Sequence, residues 1–402
     1  MPAPPFIDHL ECTRCGRTYR RGLDGPCPRC GPDGVLDIVF DVRAAGRSLN
    51  RRSLKTRARD IWRYRELLPV SAKGATPPLP VGWTPITSAP RLAAWAGVRT
   101  LLVKDEGRNP TASFKDRASV VACASTGNAA SSLAGAAAAV GLTAVIFVPE
   151  FAPEPKVAQL MIFGARVIRV KGSYDETWEL CQRACARHGW YNRNAAVNPS
   201  LVEGKKTCGL EIGEQMGAEA PEWVAVSVGD GCTITGIWKG LGEMRALGFI
   251  THLPRMLGVQ AEGARPLVDA FEGGGDMTPS AARTVADSIC VGHPRNWRKA
   301  LRAVRASGGA LVAVPDEAIL DAMRAAGQRA GLFGEPAGVA GLAGVRAAVE
   351  KGIIAGGESV LAVVTGSGLK DARTAMSAAG QPFTLAPTDD AVDAHLEERP
   401  LA

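Results

Sequence analysis

Short apolar runs alternate with longer amphipathic ones along most of this chain. Thr100–Lys104, Thr143–Val148, Val167–Val170, Trp223–Val228, Met256–Val259 and Ser359–Val364 are brief and rich in β-branched residues, a pattern that predicts strands. Ser131–Val140, Pro155–Phe163, Tyr174–His188, Ile234–Leu247, Pro315–Ala330 and Ala337–Lys351 are longer and predict helices. Such alternation implies a mainly parallel sheet covered by helices, and unbroken apolar runs such as Trp223–Val228 suit strands buried on both faces. No internal repeat is visible. The stretch from Gly74 to Pro85 is punctuated by Pro and Gly and reads as a loop. The polar, acidic tail from Pro387 is expected to add little to the core.

At 402 residues the chain is long enough for two or three folded units. Its 46% hydrophobic and 22% charged residues are ordinary for a globular protein. No run of apolar residues is long enough to predict a membrane-spanning helix, and the N-terminus lacks a basic region followed by an apolar one, so a cytoplasmic location is expected. A formal charge of +7 fits an anionic small ligand and is too small to argue for nucleic acid by itself. The basic stretch from Arg43 to Arg65 reads as a solvated arm or amphipathic helix.

Four of the ten cysteines stand in two Cys-x-x-Cys pairs, Cys12/Cys15 and Cys27/Cys30, each followed by glycine. Two such knuckles supply four sulfurs with tetrahedral geometry, which suits structural zinc, and leave no open position for catalysis. A pair of disulfides or a redox dithiol is the alternative. A head this small buries too little to fold alone, so the metal would supply much of its stability. The remaining cysteines (Cys123, Cys181, Cys185, Cys208, Cys232, Cys290) lie in apolar segments and read as small buried thiols.

Residues 109–117 read Asn-Pro-Thr-Ala-Ser-Phe-Lys-Asp-Arg. A predicted strand precedes them and a helix should follow, so a turn rich in hydroxyls delivers Lys115 near a helix N-terminus, where an ammonium loses its proton more readily. On spacing alone a surface lysine is the better reading. Gly229-Asp230-Gly231-Cys232-Thr233 follows a predicted buried strand and opens a helix, a place where backbone amides approach a phosphate; a plain turn is the alternative. Ser125-Thr126-Gly127-Asn128-Ala129 also precedes a helix and would either grip a carboxylate or simply cap that helix. Thr365 ends the strand Ser359–Val364, and Glu335-Pro336 opens a helix in a capping position with no chemistry assigned to it.

The Asn109–Arg117 segment closely resembles the cofactor-lysine motif of threonine synthases, with Ala112 where that motif carries glycine. Other segments resemble the family in its order: Trp62–Pro69, Gly82-Trp83-Thr84-Pro85, Ala124–Ala129, Glu203–Thr207, Trp297–Leu301, Glu335-Pro336-Ala337 and Thr365–Asp371. The resemblance spans roughly residues 55 to 375, and a cysteine ribbon ahead of it is common in part of the family. It implies an α/β protein of pyridoxal-phosphate (PLP) fold type II: two three-layer parallel-sheet domains with the cofactor between them, plus the N-terminal zinc ribbon. The expected division is 1–38 ribbon, 39–115 arm and first part of the large domain, 116–199 small inserted domain, 200–386 remainder of the large domain, and 387–402 tail. By resemblance, Lys115 holds PLP as a Schiff base and shuttles protons, and Asn128 hydrogen-bonds its phenolic oxygen. Gly229, Asp230, Gly231, Cys232 and Thr233 hold its phosphate, with Asp230 turned away from that charge, and Thr365 contacts the pyridine nitrogen. Thr84, Ser125, Thr126, Gly127, Asn128 and Ala129 contact substrate. Cys12, Cys15, Cys27 and Cys30 hold Zn2+.

Two departures from the family stand out. Only seven residues separate Arg117 from Ser125, where the family places a longer helix and most of a strand. Loss of a central strand would leave sheet edges unpaired, so an omitted stretch is expected rather than a natural deletion. Ala195–Leu201 also lacks the hydroxyl and arginine that the family uses for the substrate phosphate; Lys205, Lys206 and Arg108 are possible substitutes. The expected activity is conversion of O-phospho-L-homoserine and water to L-threonine and phosphate, by a homodimer with no membrane or nucleic-acid partner. The alternatives are a related PLP lyase acting at the β-carbon of phosphoserine or a hydroxyamino acid and, from another class, a zinc-ribbon protein that binds nucleic acid through the basic arm.

Overall fold

The computed structural model describes residues 6–20, 25–71, 76–119, 128–192 and 198–398. Strands β1 (Ile7–Cys12), β2 (Thr18–Tyr19) and β3 (Leu36–Phe40) form a small antiparallel sheet in the order β2-β1-β3. After an arm of short helical turns come β4 (Ile86–Ser88) and β5 (Thr100–Asp105). Next follow helix α1 (Asn128–Ala139), β6 (Val145–Pro149), α2 (Glu154–Ile162), β7 (Arg166–Val170) and α3 (Tyr174–His188). The chain continues through α4 (Ser200–Met216), β8 (Trp223–Ser227), α5 (Cys232–Ala246), β9 (Arg255–Ala261), α6 (Trp297–Ala306) and β10 (Ala310–Val314). It closes with α7 (Asp316–Ala330), α8 (Pro336–Glu350), β11 (Ser359–Val364), α9 (Ala372–Ala379) and an exposed α10 (Asp389–Glu398).

The larger sheet runs β10-β9-β8-β11-β5-β4 and is parallel except for the edge strand β4. Its central strands β8 and β11 are apolar at all but one terminal position each, because both faces are covered. Trp223 and Ala225 of β8, with Val360, Ala362 and Val364 of β11, point to one core, shared with α7 and α8. Val224, Val226, Leu361 and Val363 point to the other, shared with α4, α5 and α6. This period-two division makes a three-layer sandwich from unbroken hydrophobic runs. A second, smaller sheet pairs β6 with β7 in parallel; α1 and α2 pack on one side and α3 on the other. Among the described residues that sheet has two strands.

Helix α4 was not predicted. It is buried nearly all round and carries Glu203, Lys205, Lys206 and Glu211 inside, so no apolar stripe marks it. It packs so closely on α5 that a Cβ at Gly209 would lie 2.2 Å from the Ile237 carbonyl oxygen, which explains why small residues recur there. Its interior charges are paired. Arg117, fully buried, bonds Glu106 at 2.7 Å and Glu211 at 2.7 Å, and Lys104 lies 3.1 Å from Glu211. Nor is the basic arm simply solvated: Arg63 is buried and forks onto Glu214, while Arg57 holds Glu66.

The cysteine head docks on α5 and the start of α6. Leu10, Leu36, Ile38 and Phe40 share a core with Leu210, Met244 and Phe249. Asp37 receives Lys239 at 3.1 Å and Lys299 at 2.8 Å; against the upward push of burial, these two ammoniums hold its carboxyl well below the usual range.

Candidate active site

The turn that carries Lys115 begins where β5 ends and is braced from three directions. The Phe114 amide donates to the Thr365 carbonyl at 2.9 Å, and the Ser367 amide to the Ala112 carbonyl at 3.1 Å, tying the turn to the end of β11. Asp116 is buried; it accepts the Thr111 amide at 2.8 Å, the Thr111 hydroxyl at 2.6 Å and the Ser132 hydroxyl of α1. Burial pushes the Asp116 carboxyl up, and these hydrogen bonds oppose that push. Ala112 stands at φ +58, a backbone that glycine adopts freely and alanine does not. A four-residue helix, Asp116–Ser119, starts directly after Lys115.

Lys115 lines a cavity of about 570 Å3 between the two sheets. Asn128, Ala129, Gly229, Asp230, Gly231, Cys232, Thr233 and Thr365 share its walls. Lys115, Gly229–Thr233 and Thr365 thus converge at the carboxyl ends of β5, β8 and β11, where open parallel sheets place ligands. Thr84 does not join them: it is buried in the ionic network, its hydroxyl donating to Glu106 at 2.7 Å. Ser125, Thr126 and Gly127 lie outside the described residues.

The loop after β8 forms a cradle. Gly231 stands at φ +87, and a Cβ there would come within 2.7 Å of the Ala300 side chain. It begins α5 without any side-chain cap, so the first amides of a fifteen-residue helix are left for a ligand. Asp230 uses a carboxylate oxygen to accept the Arg295 amide at 3.3 Å.

Glu335, read from sequence as a cap alone, is buried against the cavity. It accepts from the Asn128 amide at 2.5 Å and lies 3.5 Å from the Lys156 ammonium, which also holds Asp287 at 2.5 Å. Burial raises the Glu335 carboxyl above its usual range despite Lys156. Lys156 comes from α2 beside the small sheet, whereas Glu335 and Asp287 belong to the large-sheet side. The same residues therefore join the two halves and fix Asn128. No local signal marks this, because the partners are far apart in sequence.

These groups fit PLP. The Asn128 carbonyl oxygen is buried without a hydrogen-bond partner among the described residues, leaving a polar group for a ligand to satisfy. A capless helix N-terminus suits a phosphate, the Thr365 hydroxyl suits a weakly basic ring nitrogen, and Lys115 supplies an amine.

Residues 78–366 match the pyridoxal-phosphate dependent enzyme family. The threonine synthase of Methanosarcina acetivorans is 37% identical over 401 residues, covering 96% of this chain and 97% of the relative. That of Methanocaldococcus jannaschii is 37% identical, covering 93% and 96%, and that of Mycobacterium tuberculosis 38% identical, covering 78% and 89%. The chain belongs to the threonine synthase family. Among solved structures, diaminopropionate ammonia lyase from Escherichia coli superposes with a TM-score of 0.63 at 20% identity, covering 82% of this chain and 92% of that one. Maize serine racemase gives 0.61 at 22% identity, covering 71% and 89%. Those two share the fold. Family membership makes this chain a PLP-dependent enzyme of fold type II, as the motif order implied.

Proposed function

We propose that the chain is a PLP-dependent threonine synthase, a lyase that converts O-phospho-L-homoserine and water to L-threonine and phosphate. The observation that carries this reading is near end-to-end similarity to threonine synthases, together with Lys115 standing in a cavity where the carboxyl ends of β5, β8 and β11 meet. When bound, PLP supplies an electron sink for negative charge developing at the substrate's α- and β-carbons. The chain's own residues do the rest. Lys115 would hold the cofactor covalently, and its amine would carry the protons: off the α- and β-carbons before phosphate leaves the γ-carbon, then back to the γ-carbon and, once water has added at the β-carbon, to the α-carbon. Gly229–Thr233 would hold the cofactor phosphate at the α5 N-terminus, Asn128, fixed by Glu335, would hydrogen-bond its phenolic oxygen, and Thr365 would offer its ring nitrogen a neutral hydroxyl. Asp116 and Thr111 keep the lysine turn rigid. Ser125–Ala129 receive the substrate carboxylate, while Thr84 acts through Glu106 rather than by contact.

The same proposal divides the chain into ribbon, large domain and small inserted domain at the boundaries expected from sequence, and gives it a homodimeric, cytoplasmic state. No described helix is long and apolar enough to cross a membrane. It also places structural Zn2+ in the ribbon: the four sulfurs of Cys12, Cys15, Cys27 and Cys30 lie within 4.8 Å of one another, with Cys15 and Cys27 4.0 Å apart. Four thiolates about 2.3 Å from one zinc ion stand roughly 3.8 Å apart. The Tyr19 hydroxyl, 2.9 Å from the Cys27 sulfur, supports one ligand from outside the shell.

A second reading, a sibling lyase using phosphoserine or a hydroxyamino acid, is favoured by the apolar Leu201 at the start of α4. Turnover of phosphohomoserine, phosphoserine and threonine by the holoenzyme decides between them. Phosphate release with threonine formation from phosphohomoserine alone supports the first reading. Turnover of either competitor in its place refutes it.

A further inference from the structure

Both hydrogens of the Asn128 amide nitrogen are engaged by the large-sheet side. Nδ2 donates to a Glu335 carboxylate oxygen at 2.5 Å and to the Ser288 hydroxyl oxygen at 3.2 Å. Ser288 accepts there, because its own hydrogen goes to Asp287 at 3.1 Å. The amide oxygen of Asn128, Oδ1, is the atom left buried without a partner among the described residues. Asn128, Ser288 and Glu335 all line the cavity. The phenolic oxygen of PLP is an acceptor as well, since its hydrogen is drawn to the neighbouring nitrogen that Lys115 would supply. Two acceptors that face each other repel, and neither desolvated oxygen gains a hydrogen bond.

Two rearrangements would offer the cofactor a donor. If one N–H left Ser288 for the phenolic oxygen, Oδ1 would stay buried and unpartnered, so only half of the conflict is removed. If the amide turned end for end, Nδ2 would face the cofactor and Oδ1 would face Glu335 and Ser288. That orientation needs a hydrogen on Glu335, because an amide oxygen is not stable 2.5 Å from an ionised carboxylate oxygen. The Ser288 hydroxyl can swing from Asp287 to Oδ1 and supply the second bond. Glu335 is suited to hold such a hydrogen. It is buried at the N-cap of α8, yet its carboxylate accepts none of that helix's amides. Burial raises its carboxyl; the Lys156 ammonium of α2, 3.5 Å away, opposes this, and Asp287 reinforces it. Lys370, from the turn after β11, and the Asn128 bond oppose it again. Lys156 is itself shared with Asp287 at 2.5 Å. A bound cofactor adds negative charge at its phosphate and phenolic oxygen, which strengthens the upward push.

We propose that Glu335 takes up a proton when PLP binds and, as a neutral donor to Asn128 Oδ1, turns the Asn128 amide so that its nitrogen faces the phenolic oxygen. The proton comes from solvent, forms an O–H bond on Glu335, and returns to solvent when the cofactor leaves. Glu335 is thus a positioning residue that acts on the cofactor through Asn128. This rests on the reading of Asn128 as the partner of the phenolic oxygen. The sign of the pH dependence follows: a carboxyl whose value rises on binding strengthens PLP affinity fully below its unloaded value, and that contribution is lost as pH rises through its loaded value.

The test titrates the full chain, stripped of cofactor, with PLP in buffers of different ionisation enthalpy, which counts protons. At a pH where the unloaded carboxyl is ionised, the parent should take up close to one proton more than Glu335→Gln; the subtraction cancels the protons released when Lys115 joins the cofactor. Glu335→Gln should accordingly bind PLP better relative to the parent as pH rises, by up to about tenfold per unit. The infrared difference between loaded and unloaded parent should gain a protonated-carboxyl band that shifts in D2O and is missing from Glu335→Gln. Glu335→Ala, which leaves Oδ1 without a donor, should bind PLP roughly 10–100-fold more weakly than Glu335→Gln. Equal proton counts in parent and Glu335→Gln, or a loaded parent without the carboxyl band, overturn the proposal: Glu335 is then ionised, and one N–H has merely left Ser288. An Asn128→Ala variant that binds PLP as tightly as the parent overturns it at its premise, by removing the contact between Asn128 and the cofactor. None of these readings depends on which amino acid is turned over, so a failure with phosphohomoserine would refute the functional reading separately.

Discussion

Ala112→Gly should make this protein more stable. Three residues before Lys115, the chain turns through φ +58 at an alanine. In that region the Cβ crowds the neighbouring carbonyl, at a cost of about 1–2 kcal/mol for a non-glycine residue. The backbone cannot relax cheaply, because the Ala112 amide donates to the Asn109 carbonyl at 2.8 Å and its carbonyl accepts the Ser367 amide at 3.1 Å. Glycine removes the crowding but gives the unfolded chain more freedom, which offsets about 0.4–1 kcal/mol. The net gain is about 0.5–1 kcal/mol. Urea unfolding of the holoenzyme at saturating PLP measures it, since equal cofactor occupancy removes the mass-action term. Ala112→Val should move the midpoint the other way, β-branching being least tolerated at positive φ. A glycine variant no more stable than the parent would refute the claim that the lysine turn stores strain, and with it the physical reason for glycine at this place in the family's motif.

Further outcomes follow from the buried charges and the ribbon. Arg117→Ala leaves Glu106 and Glu211 facing one remaining cation, Lys104, and should cost about 3–5 kcal/mol of stability by urea unfolding; Arg117→Lys should recover only part, lacking the fork. Burial lifts the Glu243 carboxyl to about 7, with Glu203 adding to the push and Lys206 and Lys239 opposing it. The folded state therefore holds a proton that the unfolded state releases near pH 4.5. This contribution is complete below that pH and is lost as pH rises through 7, so Glu243→Gln should flatten the fall in unfolding midpoint between about pH 5 and 8. The parent protein should contain one zinc per chain by elemental analysis. Cys27→Ser should abolish it and open the first forty residues to proteolysis, whereas unchanged metal content would refute the tetrathiolate site.

The central sheet was legible because β5, β8 and β11 are buried on both faces and therefore read as unbroken apolar runs. Strand β4 escaped because Ile86–Ser88 is three residues long and half polar, and β10 because Ala310–Val314 follows a Ser-Gly-Gly turn with little contrast to the alanine-rich helices around it. Helix α4 hid behind its charges, whose partners on β5, α5 and the lysine turn become neighbours only in the fold. The site divides in the same way. Lys115, Gly229–Thr233 and Thr365 sit in contiguous motifs at strand ends, which the family resemblance picked out and the fold brings around one cavity. Glu335 and Arg295 owe their places to Asn128, Lys156, Trp178 and Asp230, contacts between elements that spacing does not encode.

Borohydride treatment of the PLP-loaded enzyme, followed by peptide mass analysis, tests the account at its centre. We expect the reduced cofactor on the peptide containing Lys115, at about one per chain, with Lys115→Ala losing both the label and turnover. Label on another lysine, or a Lys115→Ala variant that keeps its yellow colour and its activity, would contradict the assignment of this cavity as the active site.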